Sequence, residues 1–191
     1  PISLYNISKA WCEDLLFSEF KDLPFSIIRP ATICGYSERL RLDLAVNLLT
    51  SHAIQKKQIN IFGGDQHRPN LNIKDMVDLY LYFLKIDINK VHHEIFNASY
   101  GNLTITEIAN SISDALEPKI GKIEMKWLES DDPRSYRVNS DKLFSLGFKP
   151  KFNIEDAVIE LHEAFKEKKI LGDVSDPIFN NVQMMKNLEL K

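Results

Sequence analysis

The run FSIIRPATICG, residues 25–35, limits the fold of this chain more than any other stretch. It is apolar and rich in β-branched residues, it follows Pro24, and it closes at Gly35. That pattern reads as a strand buried on both faces, the kind found inside a parallel sheet. Parallel strands need crossover connections, and the flanking segments offer them. Leu4, Ile7, Trp11, Leu15 and Leu16 recur at helical spacing over 3–21. Residues 37–57 begin polar and become helical. Ile59 to Phe62 is a short strand stopped by Gly63 and Gly64, and 65–73 is a loop leading into an extended segment. A helix over 74–86 and a buried strand over 94–99 follow.

Thr104 with Glu107 has the spacing of a capping box, opening a helix that runs to about Leu116 and stops before Pro118. Residues 122–128 alternate as a strand, 129–135 form a charged loop, and 139–148 hold a short helix. Asn153 with Asp156 marks the N-cap of a helix to about Ile170, and the tail over 172–191 is less regular. Strands alternating with helices predict an α/β fold.

Composition narrows the function. A net charge of -3 over 191 residues gives no reason to expect nucleic acid or an anionic membrane as partner. No apolar run reaches the ~20 residues that span a bilayer, and no signal peptide is visible. Two scattered cysteines, Cys12 and Cys34, suit a reducing compartment, so a cytoplasmic location is expected. The five histidines form no metal site: His92 and His93 are adjacent and should not share a face, and no grouping has zinc spacing.

The chemistry-bearing pattern is Tyr5-x-x-x-Lys9 on the first helix. Four residues apart on a helix, the two side chains share a face. An ammonium near a phenol favours the phenolate, which suits a tyrosine to move a proton on and off an alcohol oxygen while hydride moves off carbon. Alone, the spacing describes an ordinary amphipathic helix equally well. Its context is more specific: the pair is followed in order by IIRPATICG, NIFGGDQHRPNLNIKDM and RSYRVNSDKLFSLGFKP.

That series resembles the extended short-chain dehydrogenase/reductase family, in particular its NAD-dependent nucleotide-sugar epimerases and dehydratases, over residues 3 to 170. The resemblance implies a Rossmann-like NAD(P)-binding fold with a smaller α/β substrate-binding region. It implies Tyr5 as the acid–base residue and Lys9 as its partner on the nicotinamide ribose, with Pro30 and Ala31 near the nicotinamide. Thr32 stands where many members carry a substrate-touching Asn. Asn47 and Leu48 correspond to residues that meet the diphosphate, Ile61 and Phe62 lie beside the base, and Arg68 grips the diphosphate. In the later loop Asp132 and Tyr136 fit the pattern, while Glu129 stands where some members carry an arginine that Arg134 is close enough to replace.

The implied cofactor is NAD or NADP, and the implied partner is a nucleotide-diphosphate sugar, with a homodimer expected for the whole protein. None of the seven glycines forms a dinucleotide-binding turn. The expectation is therefore the C-terminal portion of a longer enzyme. Residues 1–35 would carry the catalytic helix and following strand, 36–171 mainly the substrate region with segments returning to the core, and 172–191 a tail. A UDP-sugar 4-epimerase is the example reaction, with the isolated chain inactive. The alternatives are a non-catalytic sugar-nucleotide-binding or interaction module, and a family reductase acting on another alcohol.

Overall fold

A computed structural model describes residues 3–131 and 134–188. The fold is α/β, with seven strands in three small sheets among the described residues. Helix α1 (Leu4–Glu19) opens on Ser3, whose side chain accepts from the Asn6 amide. Strand β1 (Ser26–Pro30) follows and runs parallel to β5 (Glu94–Ala98). Strand β2 (Thr32–Cys34) instead pairs in parallel with β4 (His67–Asn72), which pairs antiparallel with β6 (Gly101–Thr104) on its other side. Strand β3 (Gln58–Phe62) runs parallel to β7 (Glu124–Leu128).

The expected single buried strand over 25–35 is thus two strands in two sheets. The break falls at Pro30 and Ala31. Pro30 has no amide to donate, and the Ala31 amide completes the first ladder by donating to the Ala98 carbonyl at 2.7 Å. Thr32 then opens the second ladder opposite Asn70. Nor is β1 buried on both faces: Arg29 and Pro30 are exposed, and β5 is its neighbour among the described residues.

Helix α2 (Ala45–Lys56) packs with α4 (Ile105–Ile120) and α6 (Ile154–Lys166) around Val46, Ile59, Ile61, Ile108, Ile112 and Val158. A second core joins β1, β4 and β5 to α3 (Ile73–Phe83) and α5 (Asp141–Ser145) through Leu71, Leu79, Phe96 and Leu143. The capping boxes at Thr104 and Asn153 both form. Helix α4 runs through Pro118 instead of stopping before it. The proline lies in the last turn, where only one ladder bond is lost. The tail is more regular than expected. Residues Pro177–Phe179 form a 3-10 turn, and α7 (Asn181–Asn187) follows. Phe179 enters a third core with Leu40, Leu42, Leu161 and Ile170.

Candidate active site

The switch of the chain between sheets at Pro30 and Ala31 opens a cleft, the place where α/β folds commonly take ligands. One part, about 630 Å³, is lined by Tyr5, Pro30, Ala31, Thr32, Asn47 and Tyr136. An adjoining part, about 880 Å³, shares Tyr5, Thr32 and Tyr136 and adds Arg68 and Arg134. A third, about 450 Å³, shares both arginines and ends at Leu48, Asn60, Phe62 and Gln66. The shared walls make one trough from the Tyr5 helix to the end of β3.

Tyr5 sits in the first turn of α1 and is 68% exposed. The Lys9 ammonium lies 5.8 Å from the centre of its ring, as the four-residue spacing requires. Helix α1 buries no residue fully. An ion pair and a ring contact help to fix it. Glu13 accepts the Arg29 Nε–H at 2.9 Å and pairs with the rest of the guanidinium. The ring of Phe17 meets Phe25 at 5.2 Å, edge to face. His93 stacks on Phe25 at 4.5 Å and on His92 at 3.7 Å. These adjacent histidines do share a face, because His93 adopts a left-handed backbone with φ of 56°. Among the described residues no His, Cys or carboxylate cluster could hold a metal ion.

Arg68, on β4, is held by backbone carbonyls. It donates to its neighbour His67 at 3.0 Å and to Arg134, and its guanidinium lies 5.9 Å from the Tyr136 ring centre. The segment bearing Arg134 and Tyr136 is itself pinned to the sheet. The His67 amide donates to Ser135 Oγ at 3.1 Å, and Asn102 exchanges two hydrogen bonds with the Val138 backbone at 2.7 and 2.9 Å. Arg137 donates to His67 Nε2 at 2.7 Å. A guanidinium only donates, so that nitrogen accepts and the ring proton sits on Nδ1. Asn102 and His67 gave no motif in the sequence. Their roles arise from side-chain hydrogen bonds between segments 36 and 70 positions apart.

The other expected residues divide. Thr32, Pro30 and Ala31 line the Tyr5 end, and Leu48 and the 54%-exposed Phe62 line the far end. Asn47 reaches the wall, but its amide is engaged: it accepts from the Gly35 amide at 3.0 Å and donates to the Arg41 carbonyl at 3.0 Å. It braces the loop over 35–41. Ile61 is fully buried in the core, so its side chain is absent from the trough. Glu129 lines the far end beside Arg134, and Asp132 lies outside the described residues. Gly35, at φ of 103°, has no room for a side chain: a Cβ would stand 3.1 Å from Glu160 Oε2 and from Ile73. Missed from the sequence were Arg39, Arg41 and Asp43 on the same loop.

Helix, strand-end loop and guanidinium pair define an α/β domain with a tyrosine at one end of a trough that Arg68 and Arg134 line. Residues 1–99, just over half of the chain, match the NAD dependent epimerase/dehydratase family, and the chain belongs to it. An uncharacterized protein of Methanocaldococcus jannaschii is 27% identical over 171 residues, covering 88% of this chain and 52% of its own. The fold is shared with the UDP-glucuronic acid 4-epimerase of Bacillus cereus, solved with UDP-glucuronic acid and NAD, at a TM-score of 0.69 and 24% identity. That match covers 88% of this chain and 54% of that one. It is shared equally with a monomeric L-threonine 3-dehydrogenase from a metagenome, at a TM-score of 0.72 and 16% identity over 89% of this chain and 55% of that one. The chain spans about half the length of these relatives.

Proposed function

We propose that the whole protein is an NAD-dependent epimerase or dehydratase of a nucleotide-diphosphate sugar. The observation that carries this reading is the trough itself: Tyr5 and Thr32 line one end, and the guanidinium groups of Arg68 and Arg134 line the middle. Paired guanidiniums suit a diphosphate because each offers a planar fork of donors to phosphate oxygens. The exposed Phe62 offers a flat apolar face to a base beyond it.

For the cofactor, the residues present fit the nicotinamide end. Pro30 and Ala31 form an open strand end on the wall with Tyr5, and Lys9 is four residues along the same helix. NAD, when bound, accepts a hydride from a ring carbon and later returns it. Tyr5 takes the proton of the hydroxyl on that carbon as its C–O bond becomes C=O, and gives it back when the hydride returns. Lys9 stabilises the phenolate form of Tyr5, the form that takes the proton and that is restored once the proton is returned. Thr32 hydrogen-bonds the sugar, and Arg68 with Arg134 holds the diphosphate so that the ring stays beside Tyr5. UDP-sugar 4-epimerisation is the example reaction. The exposed apolar side chains of α1, Leu4, Trp11 and Leu15, favour a dimer contact for the whole protein.

Tyr5→Phe in the whole protein tests this reading. Turnover should fall by about 10²–10⁴-fold, the usual contribution of a general acid–base, with nucleotide-sugar binding kept. Full turnover in the variant would remove Tyr5 from the chemistry. Binding without turnover in the native protein would favour a non-catalytic binding module, and turnover of a simple alcohol alone would favour a family reductase.

A further inference from the structure

We propose that His67 is a positioning residue of the trough: its neutral ring clasps Arg137 and so holds the segment that carries Arg134 and Tyr136 to the ligand. The nucleotide-sugar reading above supplies that ligand, and the proposal rests on it for this alone. His67 meets the segment at three points. Its amide donates to Ser135 Oγ at 3.1 Å, its carbonyl accepts from the Tyr136 amide at 3.5 Å, and its Nε2 accepts from Arg137 at 2.7 Å. The same carbonyl accepts from the Arg68 guanidinium at 3.0 Å, and Arg68 also donates to the Arg134 carbonyl. Neither His67 nor Arg137 is among the described residues that line the three compartments, whereas Arg134, Ser135 and Tyr136 are. His67 thus acts on the trough through its neighbours and not by touching a ligand.

Only the third contact depends on the side chain, since the first two are made by the backbone. That contact has a condition. An imidazole nitrogen accepts only while it carries no proton. A doubly protonated ring and a guanidinium both only donate, so protonation turns the contact into a repulsion between two cations. The charged groups facing the ring are Arg137 on the segment and Glu107 in the first turn of α4, with Arg68 next along the strand. Glu107 comes near because His67 lies opposite Thr104 in the ladder between β4 and β6. Its carboxylate accepts from the Thr104 amide at 2.7 Å and the Thr104 hydroxyl at 3.0 Å. Those bonds hold its carboxyl below the usual range, so it stays charged wherever histidines titrate. A single carboxylate beside two cations cannot restore the direct bond between them. The remaining ties of the segment, Asn102 with Val138 and Asn97 with the Asn139 carbonyl at 3.3 Å, are neutral and do not change with pH. Protonation therefore loosens the Arg134–Tyr136 end while the Val138–Asn139 end stays attached.

The test is equilibrium binding of UDP-glucose and of GDP-mannose to the full natural polypeptide from about pH 8 to about pH 5.5, where histidines change charge and these diphosphate diesters do not. Affinity for the ligand that binds should weaken about fivefold as the pH falls, the scale of one hydrogen bond. His67→Gln keeps an acceptor that does not titrate, so its affinity should match the native value at the upper end and stay level. His67→Leu should bind about fivefold more weakly at every pH. A fall with pH that survives His67→Gln overturns the proposal, as does native affinity in His67→Leu at the upper end. A second measurement needs no ligand. In the nitrogen NMR spectrum of the native protein at about pH 8 the His67 ring should carry its proton on Nδ1, and Arg137→Ala should move it toward Nε2. A ring protonated on Nε2 in the native protein overturns the clasp whatever the ligands do. Failure of both ligands to bind overturns the nucleotide-sugar reading, and the tautomer then decides the clasp by itself.

Discussion

Cys12 and Cys34 show how differently one residue type behaves at two places in this fold. Cys12 is exposed on α1, and Cys34 is buried at the end of β2, with Sγ 3.6 Å from the Leu71 carbonyl. Burial pushes the Cys34 thiol up to about 12, because a thiolate there would lose its hydration. Native protein at pH 8 should therefore titrate one thiol per chain with a disulfide reagent and two after denaturation. The folded value exceeds the unfolded one, so this group's contribution to stability is complete below about pH 8.5. It drains as the pH rises toward 12. Rapid labelling of both thiols in the native state would contradict the buried placement. His52 works in the opposite direction. Burial lowers its value, with Lys56 adding to the effect, so its contribution is complete above the usual histidine range and is lost as the pH falls below it. Replacing His52 with Gln should flatten the loss of stability between about pH 6.5 and 5.

Among the elements, the helix starts were the most legible in the sequence. Thr104 with Glu107 and Asn153 with Asp156 are local patterns, and both capping boxes form as read. What could not be read was pairing between distant segments. Strand β6 carries no alternating pattern in its four residues and exists because β4 offers it an edge. Asp75 makes the same point for a single side chain. Its position reads as an acidic residue in the first turn of a helix, and it does lie there. Yet it is fully buried, and its two oxygens accept from the Lys151 and Phe152 amides at 2.8 and 3.0 Å. It therefore staples α3 to the start of α6. Asp75→Ala would orphan two amides and should cost about 3 kcal/mol, seen as a lower urea midpoint at unchanged slope. Thr104→Ala should cost only about 1 kcal/mol. A smaller loss for Asp75 than for Thr104 would mean that water replaces the carboxylate.

At the scale of the whole molecule, the trough is assembled from separated stretches: the start of α1, the end of β1 with β2 and the loop after it, the start of α2, the end of β3, the strand β4 and the segment around Tyr136. The residues carrying Tyr5, Thr32 and Arg68 could be picked from motif order, because each lies in a short contiguous signature. Arg39 could not, since its setting depends on a tail that looked irregular. That tail closes the third core. Phe179 packs with Leu40 and Leu42, and the Phe179 carbonyl accepts from the Leu42 amide at 3.1 Å. Phe179→Ala should cost about 3 kcal/mol and loosen the loop over 36–44. Hydrogen exchange should show faster exchange at Leu42 while the amides of α4 stay protected.

The bond between Arg39 and Asn181 joins residues 142 positions apart. On a ribosome adding about 5–20 residues per second, that interval lasts on the order of ten seconds. Throughout it a nascent chain has Arg39 but not the tail residue that holds its guanidinium. The setting of the loop over 36–44 is thus timed by synthesis of the tail: it waits until Phe179 and Asn181 have been made and released to pack against it.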